Sequence, residues 1–268
     1  MEVQNRNNVQ VVGRDGDAPT VLLAHGFGCD QNMWRLVVPH LTPHFRVVLF
    51  DYVGAGRSDH SAWSAERYGS LSGYAQDVRD ICHDLALGPV VYVGHSVSSM
   101  IGVLAAIAEP DLFDSLVLLT PSPCYIDDGD YRGGFSRADI DELLGTLDAN
   151  YLGWSATMAP VIMGNPDRPE LGDELTNSFC RTDPTIARTF AHATFLSDNR
   201  DDLRRVTLPT LVIQSGQDAI APPEVGAYVR DQIPNSDLVT LSSTGHCPQL
   251  SDPDQVAAAI LSFVHAPA

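Results

Sequence analysis

Three residues far apart in the chain, Ser96, Asp218 and His246, have the types and local settings needed for nucleophilic attack on a carbonyl carbon. A serine hydroxyl is a weak nucleophile at neutral pH. It needs a base to take its proton and a carboxylate to hold that base in the right tautomer. Ser96 lies in Val91-Tyr92-Val93-Gly94-His95-Ser96-Val97-Ser98-Ser99, where a strand-like run passes through small residues into a helix-like one. That is the setting of a nucleophile elbow, in which a sharp turn exposes the hydroxyl. Ser98 stands where the usual G-x-S-x-G pattern has its last glycine, and it keeps the residue small.

Asp218 follows the apolar run Thr210 to Gln214, and His246 follows the run Leu238 to Leu241. Taken singly, each feature has a plain structural reading: Gly-His-Ser as a tight turn, a loop aspartate as a cap, a lone histidine as a surface residue. Their joint occurrence at strand ends, in the order serine, aspartate, histidine, favours a catalytic triad. Asp198 and Asp201 are rival acids, but they precede the Thr210 strand and resemble helix-start residues. Acyl transfer also needs donors for the developing oxyanion. The backbone N–H groups of Phe27, in His25-Gly26-Phe27-Gly28, and of Val97 are the candidates. Asp51-Tyr52-Val53-Gly54-Ala55-Gly56-Arg57-Ser58-Asp59 lacks the full G-x-G-x-x-G pattern and reads as a loop bracing the catalytic edge. His95 and Cys247 adjoin catalytic residues, but neighbouring side chains on a turn diverge, and neither is given a chemical step. No metal-binding cluster is evident, and no cofactor is expected.

Positioning these residues requires strands whose carboxyl ends share one edge. Short apolar runs at Val21 to Ala24, Arg46 to Phe50, Val90 to Val93, Ser115 to Leu119, Thr210 to Gln214 and Leu238 to Leu241 read as buried parallel strands. They alternate with helical patterns at Met33 to Leu41, Leu71 to Leu85, Ser99 to Ala108, Pro223 to Gln232 and Pro253 to Val264. This alternation predicts an α/β class protein with a mostly parallel doubly wound sheet, and the order serine, aspartate, histidine makes the α/β-hydrolase fold the expected one. Between Leu119 and Thr210 only helix signals occur. About four helices fit from Ser136 to Leu196, with Ser136 and Asp139 as a capping pair, Asp183 as a cap, and Pro169 and Pro184 in first turns. The expected organisation is a core of residues 1–120 and 200–268 with a helical lid at 121–199. Leu143, Leu147, Trp154, Met158, Ile162, Phe179, Ile186, Phe190 and Phe195 recur at helical spacing there, and those facing the sheet would roof a pocket.

Composition excludes several classes. Arginine and lysine together number 16 against 34 acidic residues, a formal charge of −18, and all the basic residues are arginine. Nucleic acid and anionic membrane are therefore unsuitable partners. The start of the chain lacks a charged-then-apolar signal pattern, and no apolar run is long enough to span a bilayer, so the expected location is cytoplasmic. Five cysteines without C-x-x-C spacing read as free thiols.

Several segments resemble the RsbQ-like family of bacterial stress-signalling hydrolases, which is related to the plant karrikin and strigolactone receptors. They are His25 to Trp34, Asp51 to Asp59, Gly94 to Gly102 with its Gly-His-Ser-Val-Ser elbow, Ser122 to Tyr125, Tyr131 to Phe135 and Gly245 to Pro248. Asn150 to Trp154 and Phe179 to Pro184 extend the likeness into the lid, where such hydrolases diverge most. The resemblance implies a four-helix lid over a deep apolar cavity and slow hydrolysis of a small hydrophobic ester or a butenolide-type lactone. It places Phe27, Trp154, Met158, Phe190 and Phe195 at pocket positions, and it implies a PAS-domain-containing phosphatase as protein partner. Two alternatives stay open beside a signalling hydrolase: a purely metabolic esterase or lactonase, and a ligand receptor with little or no turnover. Haloalkane dehalogenation is disfavoured, since it uses a carboxylate at the Ser96 position; a cofactor-free haloperoxidase would share the triad.

Overall fold

A computed structural model describes residues 2–265. Among these residues, seven strands form one sheet in the order β1-β3-β2-β4-β5-β6-β7. They are β1 (Gln10–Gly13), β2 (Thr20–Ala24), β3 (Arg46–Leu49), β4 (Val90–His95), β5 (Phe113–Leu119), β6 (Thr210–Gln217) and β7 (Ser236–Thr244). Only the β1–β3 pairing is antiparallel. The six expected strands are present. β1 was not expected, because its four residues are all exposed and carry no burial pattern. Its place is set by backbone pairing of Gln10 to Gly13 with Leu49 to Arg46.

The period of two along a strand divides the core. Val21 and Leu23 of β2, Val91 and Val93 of β4 and Val117 and Leu119 of β5 pack on one face. Leu22 and Ala24, Val90 and Tyr92, and Leu116 and Leu118 pack on the other. Because helices cover both faces, these strands read as continuous apolar runs rather than as alternating ones.

Among the described residues, eight helices have ten or more residues: α1 (Leu71–Asp84), α2 (Val97–Ala108), α3 (Arg137–Ala149), α4 (Tyr151–Met163), α5 (Pro169–Arg181), α6 (Pro184–Phe195), α7 (Pro223–Gln232) and α8 (Pro253–Val264). The helix expected over Met33 to Leu41 is instead a 3₁₀ turn at Gln31–Trp34 and a short helix at Val38–Leu41. Pro39 explains the break, since it has no N–H to give to a carbonyl one turn back.

Helices α3 to α6 lie between β5 and β6, in the stretch where a helical lid is expected. Their boundaries follow local chemistry. Ser136 and Asp139 make a reciprocal capping box at α3, and Asp183 accepts from the N–H groups of Thr185 and Ile186 at α6. Pro169 and Pro184 occupy first turns, where a missing N–H costs nothing.

Several polar contacts fasten these helices to the loops at the carboxyl edge, among them three to backbone carbonyls. The His246 N–H donates to the Ile162 carbonyl (2.8 Å), Asn165 Nδ2 to the Thr244 carbonyl (2.9 Å) and Ser178 Oγ to the Gly28 carbonyl (2.8 Å). Gly245, at φ +94°, has no room for a side chain there: a Cβ would stand 1.8 Å from the Met163 carbonyl oxygen. No helix among the described residues is long and apolar enough to cross a membrane.

Candidate active site

Strand β4 runs into helix α2 through Ser96, which adopts φ 57° and ψ −123°. A positive φ is costly for a residue with a Cβ, so the turn is held by its surroundings. Gly94 lets the strand and helix touch, since a Cβ there would lie 2.5 Å from the Ser98 carbonyl oxygen. The Ser96 N–H donates to the Leu119 carbonyl at 2.8 Å, tying the elbow to β5. Ser98 does more than stay small. Its buried hydroxyl donates to the His25 carbonyl and lies 3.1 Å from the Tyr52 hydroxyl, which links α2 to the loop carrying Phe27.

The loops after β6 and β7 bring Asp218 and His246 to Ser96. His246 Nε2 is 2.7 Å from Ser96 Oγ, and His246 Nδ1 is 2.7 Å from Asp218 Oδ2. All three side chains are buried. The other carboxylate oxygen of Asp218 accepts from the N–H groups of Ile220 (2.8 Å) and Ala221 (3.1 Å), which fixes the carboxylate plane. With Nδ1–H donating to the carboxylate, Nε2 is left to accept the serine proton.

The expected oxyanion donors flank this relay. Val97 opens α2, so its N–H has no partner within the helix and sits at the positive end of the helix dipole. Among the described residues neither the Val97 nor the Phe27 N–H has a backbone acceptor. The Phe27 loop is held by His25, whose Nδ1–H donates to the Gly26 carbonyl (2.9 Å) and whose Nε2 accepts the Tyr52 N–H (3.2 Å). The Asp51 segment braces the same edge. Its carboxylate accepts from the N–H of Gln31 (2.8 Å) and of Arg57 (2.9 Å), and from Asn8 Nδ2 (2.7 Å).

Of the five expected pocket residues, four share one narrow cavity with Ser96 and His246: Phe27, Trp154, Met158 and Phe195. The fifth, Phe190, lies elsewhere. It stacks on Tyr74 at 4.3 Å and lines a second, smaller space behind Phe27. Its side chain belongs to the opposite core cluster, a choice of face that helical spacing does not reveal. Leu143, Ile162 and Phe179, among the lid residues expected to roof a pocket, also line this cavity, whereas Tyr125 and Ile220 line it and were not expected there. For Tyr125 a signal existed: it follows β5 at the same carboxyl edge as the elbow. The rival acid Asp198 is engaged by Arg200, whose Nε is 2.8 Å from Asp198 Oδ1, and is not among the residues of the cavity.

His95 and Cys247 do not simply turn away, as the divergence of neighbouring side chains suggests. Both line the cavity. His95 Nε2–H donates to the His246 carbonyl at 2.8 Å, and the Thr120 hydroxyl lies 3.1 Å from the same oxygen. Thr120 is itself held at φ 47°. These contacts were invisible in sequence because His95 and His246 meet only through the sheet. Burial pushes the thiols of Cys29 and Cys247 up, which keeps them protonated and poor nucleophiles.

Burial, with the neighbouring His246 second, lowers the His95 pKa from 6.5 to about 3. Unfolded His95 takes up a proton below about 6.5, whereas the folded residue stays neutral down to about 3. Stability from this group is therefore complete above 6.5 and falls as the pH drops through that window, by about 1.4 kcal/mol per unit. Thermal or urea melts of wild type and His95→Gln at pH 7.5 and 5.0 should show a shallower pH dependence in the variant. Equal slopes would mean that His95 is protonated in the native state.

A family model described as the alpha/beta hydrolase fold matches residues 19–253. A karrikin insensitive 2 receptor of Petunia hybrida is 40% identical over 98% of this chain and 97% of its own length. A strigolactone esterase of Arabidopsis thaliana is 40% identical over 93% of each chain. The solved structure of a hydrolase from Oleispira antarctica superposes with a TM-score of 0.96, at 45% identity, covering 99% of this chain and 97% of that one. A family model spanning most of the chain and plant proteins 40% identical over nearly all of it show that the chain belongs to the α/β-hydrolase family, among the relatives of the plant karrikin and strigolactone receptors.

Proposed function

We propose that this protein is a serine hydrolase that opens a small, neutral, apolar ester or lactone, with a butenolide-type ring as the favoured substrate class. The observation that carries the reading is the unbroken relay of two 2.7 Å hydrogen bonds from Ser96 through His246 to Asp218, ending in an apolar cavity. Ser96 Oγ attacks the carbonyl carbon as its proton passes to His246 Nε2. The N–H groups of Phe27 and Val97 stabilise the resulting oxyanion, each such donor being worth about 3 kcal/mol in enzymes of this kind. His246 then protonates the departing oxygen, and a water molecule repeats the sequence on the acyl-enzyme. In a lactone the departing oxygen remains tethered to the acyl group. A chain with a net charge of −18 repels anionic substrates, which further favours a neutral one.

Relatives that are named as receptors, and the lid segments that resemble the RsbQ-like family, support a signalling role for this cytoplasmic hydrolase. In this reading, occupancy or turnover changes a lid surface recognised by a PAS-domain-containing phosphatase. Intact-mass spectrometry after incubation with a fluorogenic butenolide and with p-nitrophenyl acetate tests the chemistry. The expected result is product release from the butenolide with a covalent adduct on Ser96 or His246. Turnover of acetate alone would point to a metabolic esterase, and binding of the butenolide without product or adduct would point to a receptor that does no chemistry.

A further inference from the structure

Helix α4 ends against the loop that carries His246. The last carbonyls of a helix have no partner within it and must be satisfied from outside. The Pro160 carbonyl accepts the Gly164 N–H at 3.0 Å, in a left-handed turn at φ 60°. The Ile162 carbonyl accepts the N–H of His246 itself at 2.8 Å, and the Met163 carbonyl accepts from the Asn165 side-chain amide. The His246 loop is therefore part of the cap of α4, and α4 is part of what holds the loop.

The turn after α4 grips this loop on both sides of the histidine. Asn165 Nδ2 also donates to the carbonyl of Thr244, two residues before His246, at 2.9 Å. Asn165 Oδ1 accepts from an Arg168 guanidinium N–H at 2.6 Å, and Arg168 donates in turn to the carbonyl of Ser251 at 2.9 Å. Ser251 closes the short helix Pro248–Ser251 that follows His246. From the opposite direction the His246 carbonyl is held by His95 and Thr120. A rigid imidazole must keep both of its 2.7 Å contacts at once, so a backbone shift of about 1 Å is enough to lose one, and misplacement of that size costs about 10²-fold in rate.

We infer that Asn165 and Arg168 are positioning residues for His246: they register its backbone against the end of α4, so that the ring meets Ser96 and Asp218 together. The catalytic consequence rests on the hydrolase reading above; the positioning does not require turnover. Asn165 is suited to this by its amide, whose NH₂ serves two carbonyls while its oxygen serves the arginine. Arg35 fastens α5 to the core by a different route, with bonds of 2.6 and 2.7 Å to Glu174, and among the described residues it makes no bond to the His246 loop.

Asn165→Asp tests this. It keeps the size of the side chain and the acceptor for Arg168, but sets an oxygen where two carbonyl oxygens need a donor. It should lower kcat for p-nitrophenyl acetate by about tenfold or more, with KM within about twofold of wild type. It should also move the low-field Nδ1–H proton resonance of His246, which reports the hydrogen bond to Asp218. Asn165→Ala should fall between this variant and wild type, and Arg168→Lys should retain more activity than Arg168→Ala. Arg35→Ala, which cuts the other fastening, should keep the wild-type kcat and resonance. An unchanged kcat and resonance in Asn165→Asp, or an equal fall in Arg35→Ala, would overturn the inference. So would a fall in kcat that tracks a lowered melting temperature while the resonance stays in place. A wild type that hydrolyses no ester, with the resonance moved in Asn165→Asp and not in Arg35→Ala, would refute the hydrolase reading and leave the positioning role standing.

Discussion

Ser96→Ala is expected to lower kcat for ester hydrolysis by about 10⁶-fold, while substrate still binds. Among the described residues, the side chain removed is the only one that both approaches His246 Nε2 at 2.7 Å and lines the cavity as an alcohol at the strained head of α2. Its loss leaves the Phe27 and Val97 N–H groups and the apolar walls in place. A large fall in kcat with an unchanged dissociation constant is therefore the signature. Steady-state kinetics on p-nitrophenyl acetate, paired with calorimetric binding of a butenolide, measures both. Activity equal to wild type would remove Ser96 from the mechanism. The same variant divides the signalling readings: if the chemistry matters, phosphatase activation disappears with hydrolysis, and if occupancy suffices, it persists.

Asp218→Asn should be less damaging, about 10⁴-fold in kcat, with little change in KM. The carboxylate accepts Nδ1–H through one oxygen while the other is held by the N–H groups of Ile220 and Ala221. In the amide, those two donors keep the carbonyl oxygen and turn the NH₂ toward His246. Nδ1 must then accept, the ring proton moves to Nε2, and the base can no longer receive a proton from Ser96. Asp198→Asn is the matched comparison, since Asp198 is engaged by Arg200 rather than by the histidine. It should keep near wild-type kcat. A small effect at Asp218 together with a large one at Asp198 would exchange the two assignments.

Much of this was legible because it is local. The α7 and α8 patterns, Pro223–Gln232 and Pro253–Val264, match their observed bounds, as proline starts and apolar spacing set them. The lid helices declare themselves through Ser136, Asp183 and the first-turn prolines. Where the reading failed, a distant partner decided the outcome. Strand β1 exists only by pairing with β3, and Pro39 divided a helix that its apolar spacing suggested.

What the amino-acid sequence determined by itself is the chemistry available and its order along the chain: a serine in a strand-turn-helix context, then an aspartate and a histidine after later strands. Parallel pairing compels those strand ends onto one edge, so the convergence of Ser96, Asp218 and His246 follows from pattern alone. The tertiary structure alone decided which side chains meet around them. Phe190 and Phe195 are five residues apart on one helix, yet only Phe195 reaches the Ser96 cavity, while Phe190 packs behind Phe27. His95 was placed against the His246 carbonyl in the same way, across 151 positions of sequence. Helical and strand periods state which residues are buried. The neighbour each buried side chain faces is set by close packing of elements distant in sequence, which only the folded chain brings together.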